Sequence, residues 1–185
     1  MVFITVTELV QMLILTVALG YIFSGFIMVR KDPYAPRQFF DWESIKFAAL
    51  ISTPAVMFHE LAHKFVALGL GLEATFHIWT TGLLIGIVLK AISSPFLFLA
   101  PAYVTIVGAT ASYQTFLTAF AGPLANLVLF GISYYVLKTK KRMSRKEQMG
   151  WTISKKLNLF LFGFNLIPIP PLDGFSVLTS FFGMF

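Results

Sequence analysis

The chain has no cysteine. Disulfides and thiolate metal sites are therefore excluded, and any metal has to be held by His, Asp or Glu. Charge is scarce as well: 12% of the 185 residues are Asp, Glu, Lys or Arg, about half the share of an ordinary soluble domain. With eight acidic residues and three histidines, the inventory for acid–base or metal chemistry is short. A signal peptide is not evident either. Nothing basic precedes the first apolar run, which is too long for a leader's apolar region and reads as a retained helix. No internal repeat, low-complexity tract or soluble appendage of domain size is found.

What remains is apolar. Hydrophobic residues make up 57% of the chain, 21 of them Phe, which points to an all-α polytopic membrane protein. Four stretches are long enough to span: 9–29, 47–70, 114–137 and 157–182. The stretch 82–107 is broken by Lys90, Ser93-Ser94-Pro95 and Pro101 into pieces suited to re-entrant or interfacial placement. The expected fold is thus a bundle of about four to five transmembrane helices in a single domain, 1–185. Residues 1–46 would form the first span and loop, and 47–185 the core. The β-branched run Tyr103 to Val107 also predicts a strand, with Glu73 to Trp79 as its partner in a small membrane-embedded hairpin.

The net charge of +6 does not indicate nucleic acid. Eight of the fourteen Lys and Arg residues lie in 138–156, where they fit the positive-inside rule and anionic headgroups. The proline-containing segment 30–46 reads as a second connector. Both connectors are cytoplasmic if 82–107 does not cross; if it does, 30–46 moves outside.

His59-Glu60-Leu61-Ala62-His63 lies inside the second apolar stretch. Two histidines four apart on a helix share one face, close enough to bind one zinc ion. Glu60 then stands ready as general base toward water activated by the metal, as in H-E-x-x-H metalloproteases. The bland alternative is a pair of packing histidines, but polar groups at membrane depth are expensive and call for a reason. Zinc needs a third ligand. Of the other acids, Asp173 alone lies well inside an apolar segment, at the end of Asn165-Leu-Ile-Pro-Ile-Pro-Pro-Leu-Asp-Gly174. Prolines 168, 170 and 171 cannot continue a helix, and broken backbone at membrane depth is tolerated where it is buried or lines a polar cavity. Asp173 then faces that cavity; the bland reading, a cap on the helix that restarts there, is compatible with ligation. His77, beside Trp79, reads as interfacial rather than ligating. Asn126 fits close helix packing as well as it fits a functional role.

Three motifs, His59 to His63, Ala121-Gly122-Pro123-Leu124-Ala125-Asn126 and Asn165 to Gly174, resemble in order and spacing the site-2 protease family of intramembrane zinc metalloproteases. The resemblance covers roughly 47–182 and implies one Zn2+ per chain held by His59, His63 and Asp173, with Glu60 as the catalytic base. It implies that Asn126 lies near the substrate strand or the developing oxyanion, and it matches Asn165 to the start of the family's Asn…Asp-Gly motif. It further implies cleavage of transmembrane protein or peptide substrates within the bilayer of a prokaryotic cell membrane. The PDZ and CBS modules of many members are not present. Members of the family hold zinc a short way from the cytosolic face, which would suit a second span ending inside with Lys64 snorkelling toward headgroups. A membrane zinc carrier and a non-catalytic relative are the alternative readings, and a carrier has no need of a base beside its ligands.

Overall fold

The computed structural model describes residues 3–27, 40–94, 101–109 and 111–185. Among these, six helices and one two-stranded sheet form: α1 (Val6–Phe23), α2 (Trp42–Gly69), β1 (Glu73–Ile78), α3 (Thr80–Ala91), β2 (Ala102–Val107), α4 (Ser112–Thr139), α5 (Arg145–Asn165) and α6 (Asp173–Phe182). Helices α1, α2 and α4 are long and apolar enough to cross a membrane. Most of the first connector, 30–39, lies outside the described residues, as do 28–29 of the first expected span and 95–100 of the broken stretch 82–107.

Local chemistry starts these helices where they start. Thr5 and Glu8 form a reciprocal cap on α1: Glu8 N–H donates to Thr5 Oγ1 at 3.2 Å and Thr5 N–H to Glu8 Oε2 at 2.8 Å. Asp41 accepts from the N–H groups of Glu43 and Ser44 at the head of α2. The expected strand pair is present. β1 and β2 run antiparallel, with Glu73 opposite Val107 and Ile78 opposite Ala102, and α3 lies between them in the chain.

α1 buries Met12, Leu15, Leu19, Ile22 and Phe23 against Phe47, Ala48, Ile51 and Val56 of α2, with Phe76 of β1 closing that core. On its other side α2 meets α4, and α4 in turn packs on α5 and α6. The histidine motif of α2 therefore faces α4 and α6 across the middle of the bundle.

Two elements differ in form from the expected spans and connectors. Among the described residues three helices meet the length and apolarity of a span. The expected fourth span, 157–182, is two helices separated by residues 166–172, because Pro168, Pro170 and Pro171 cannot continue α5. The basic connector 138–156 is mostly helical: α4 runs to Thr139, and Ser144 caps α5 by accepting from Glu147 N–H at 3.2 Å. Lys and Arg are good helix formers, so a basic run need not be a loop. Ile167 to Pro171 are exposed, and an apolar cavity of about 570 Å³ opens elsewhere, between α2, α4 and α5.

Candidate metal centre

His59 and His63 sit one turn apart on α2, both buried. Asp173 is the first residue of α6, where the proline break has ended and a carboxylate suits the positive end of the new helix. The break brings α6 close: a Cβ built on Gly174 would fall 2.7 Å from the Ile167 carbonyl oxygen, so only glycine follows the aspartate here. Asp173 makes no capping bond; its Oδ2 lies 3.1 Å from His59 Nε2 and 3.4 Å from His63 Nε2. The two Nε2 atoms are 3.1 Å apart. His59, His63 and Asp173 thus form a group able to hold a metal ion, the expected ligand set.

The partners on the far side of each ring decide what faces inward. His63 Nδ1 lies 2.6 Å from the Thr118 carbonyl oxygen of α4. A carbonyl only accepts, so Nδ1 carries the proton and Nε2 presents its lone pair. His59 Nδ1 lies 2.7 Å from Asn126 Oδ1, with the same consequence. Two lone pairs and a carboxylate oxygen therefore converge at 3.1–3.4 Å. A tetrahedral ion with arms of about 2.0–2.1 Å has ligand-to-ligand edges of about 3.3–3.4 Å, and a shared cation removes the mutual repulsion. Gly122 of α4 leaves the room: a Cβ there would come 2.7 Å from His59 Nε2 and closer still to that of His63. The residues present fit a zinc ion.

Glu60 is buried beside His59 and lies within electrostatic range of His59, His63 and Asp173. No hydrogen bond to its carboxylate occurs among the described residues. Asn126 reaches the ligands as described. Asn165 does not; it ends α5, and its amide donates to its own helix at the Leu161 carbonyl, 3.0 Å away. His77 stands in β1 with its ring 5.4 Å from that of Tyr103, outside the ligand group.

Three curated proteins resemble this chain, and each bears the printed name "Putative zinc metalloprotease". One from Methanocaldococcus jannaschii is 37% identical over 129 residues, 66% of this chain and 63% of that protein. One from Bacillus subtilis is 36% identical over 72 residues, 35% of this chain and 33% of its own length. One from Synechocystis is 35% identical over 132 residues, 71% of this chain and 30% of that protein. The likeness supports a zinc-metalloprotease family. The chain spans less than two thirds of the length of each of these relatives. No family model and no solved structure matches it at a significant level.

Several contributors carried no expectation. Asn158 of α5 donates to Ser154 and accepts from Asn126; an asparagine amid Leu157, Leu159 and Phe160 was the available signal, since a polar amide in an apolar helix wants a partner. Thr118 acts through its carbonyl, which no residue type announces. Lys64 does not snorkel. It is 1% exposed and pairs with Glu8 of α1, itself 1% exposed. Glu8 Oε1 also accepts from Phe76 N–H at 2.7 Å, so this acid is buried and fully partnered.

Proposed function

We propose that this chain is an intramembrane zinc endopeptidase of the site-2 protease type, with one zinc ion per chain. It would act on peptide bonds within or next to transmembrane segments of proteins anchored in the same cell membrane. The observation that carries the reading is the convergence of His59 Nε2, His63 Nε2 and Asp173 Oδ2 at 3.1–3.4 Å, beside α2 and α4, which are apolar enough to cross a bilayer, with Glu60 next to them.

Zinc, when bound, supplies Lewis acidity toward a scissile carbonyl and toward the attacking water. The chain's own residues do the rest. His59, His63 and Asp173 would hold the ion. Glu60, next to His59, takes the proton from the attacking water and returns it to the leaving amine. The apolar surroundings limit bulk water around this exchange.

A helical substrate hides its carbonyls in intrahelical bonds, so it has to be unwound before it is cut. Pairing with an exposed strand edge achieves this. Glu8 and Gln11 of α1 already accept from the outward N–H groups of Phe76 and Ile78 in β1, at 2.7 and 3.1 Å. An added strand would therefore pair along β2.

Glu60→Gln tests the assignment. We expect stoichiometric zinc and a 10²- to 10⁴-fold loss of cleavage of a reporter membrane peptide, the usual worth of a general base. Cleavage retained by that variant overturns the role. A zinc carrier would use the same ligands, and zinc flux into proteoliposomes without peptide cleavage would favour it. The carboxylate of Glu60, available beside the ligands, favours hydrolysis.

A further inference from the structure

Resting on the reading of His59 as a zinc ligand, we infer that Asn126 is a positioning residue for that histidine, held in one orientation by Asn158, and not a donor to substrate. Asn126 is 0% exposed and Asn158 1%. The Asn126 side chain has two N–H donors and one carbonyl oxygen. Both donors are taken: Nδ2 lies 2.8 Å from the Ala55 carbonyl oxygen of α2 and 3.0 Å from Asn158 Oδ1 of α5. The oxygen is left to face His59 Nδ1 at 2.7 Å.

The reverse orientation of the amide is excluded by its surroundings. It would set an oxygen against the Ala55 carbonyl and against Asn158 Oδ1, two acceptors facing a third. Asn158 cannot turn to relieve this, because its own Nδ2 donates to the Ser154 carbonyl at 2.8 Å, with Ser154 Oγ at 3.3 Å. Two backbone carbonyls, of Ala55 and Ser154, thus anchor a relay from α5 through α4 to the imidazole on α2. Its output is one tautomer and orientation of His59: Nδ1–H toward Asn126 and the Nε2 lone pair toward His63 Nε2 and Asp173. The two amide hydrogens are spent on α2 and α5, so none is left for a developing oxyanion. This departs from the role the family resemblance implies for Asn126.

The test is zinc affinity of the purified full chain in detergent, measured by competition with a chelator for Asn126→Ala, Asn126→Asp, Asn158→Ala and His59→Ala. Removing an outer partner of a ligating histidine costs about 10- to 100-fold in affinity, and we expect that loss for Asn126→Ala. Asn158→Ala touches no ligand and should weaken zinc in the same direction by a smaller factor. Asn126→Asp separates positioning from packing. It keeps an acceptor at His59 Nδ1 while losing both donations, so it should bind zinc more tightly than Asn126→Ala. An Asp variant no better than Ala, or an Ala variant with unchanged zinc affinity and slowed turnover, overturns the proposal. If Asn126→Ala does not fold, Asn158→Ala decides, and unchanged zinc affinity there overturns the relay. Full zinc binding by His59→Ala would instead remove the metal reading on which the relay rests.

Discussion

Two buried polar clusters stand back to back on α2, one residue apart. His63 belongs to the first, with His59 and Asp173; Lys64 belongs to the second, with Glu8 and the Phe76 N–H. The second is complete in itself. Its carboxylate meets an ammonium and a backbone donor, and the node ties α1 to α2 and β1. The first is all acceptors: two ring lone pairs and a carboxylate oxygen, with every available ring proton committed outward to Thr118 and Asn126. Burial of charge alone therefore does not mark chemistry. A cluster that balances its own donors and acceptors is architecture, whereas one in which only acceptors converge is a group able to hold a metal ion.

The largest effect that sharpens this contrast belongs to the open cluster. Asp173→Ala should abolish both stoichiometric zinc, measured by metal analysis, and peptide cleavage. Stoichiometric zinc in that variant would remove Asp173 from the ligand set. Gly122→Ala should act almost as strongly, because its methyl group occupies the space where the ring nitrogens meet; a variant with wild-type zinc affinity would break the steric argument. In the closed cluster, Lys64→Met leaves Glu8 buried without its counter-ion and should cost about 3–5 kcal/mol of stability. Combining it with Glu8→Gln, which can still accept from Phe76 N–H, should restore most of that loss, with zinc per folded chain unchanged. Denaturant titration in detergent reads both. If the single variant costs nothing, the node is not a structural tie. The smallest effect is at the solvated ion pair of Lys140 and Glu147, which joins the end of α4 to the start of α5. Lys140→Ala should change stability by about 1 kcal/mol or less.

The open cluster was largely legible in the sequence and the closed one was not, and the reason is physical. His59, Glu60 and His63 announce themselves by residue type at helical spacing, and Asp173 by standing in apolar surroundings beside three prolines. The hairpin was legible through the β-branched run at 103–107. Lys64 has a long aliphatic stem that reaches headgroups in most settings; its partner, 56 residues away on another helix, decides otherwise. Glu8 looked peripheral because it begins a helix, yet β1 and α2 close over it. The start of α5 was hidden for a similar reason, since basic residues mark connectors by charge and favour helices by propensity. Asn126 was visible as a residue of interest, but its orientation depends on Ala55 and Asn158, which only the packing of three helices brings together.

The separation of the ligands along the chain has a consequence during synthesis. His59 is made early, and its carboxylate partner follows 114 residues later. At ordinary translation rates that interval is on the order of ten seconds. During it a nascent chain carries Glu60 and the histidine pair without Asp173, so the group able to hold a metal ion is incomplete. If the proposed zinc endopeptidase reading holds, the centre would stay incomplete, and the chain unable to cut, until α6 emerges and docks.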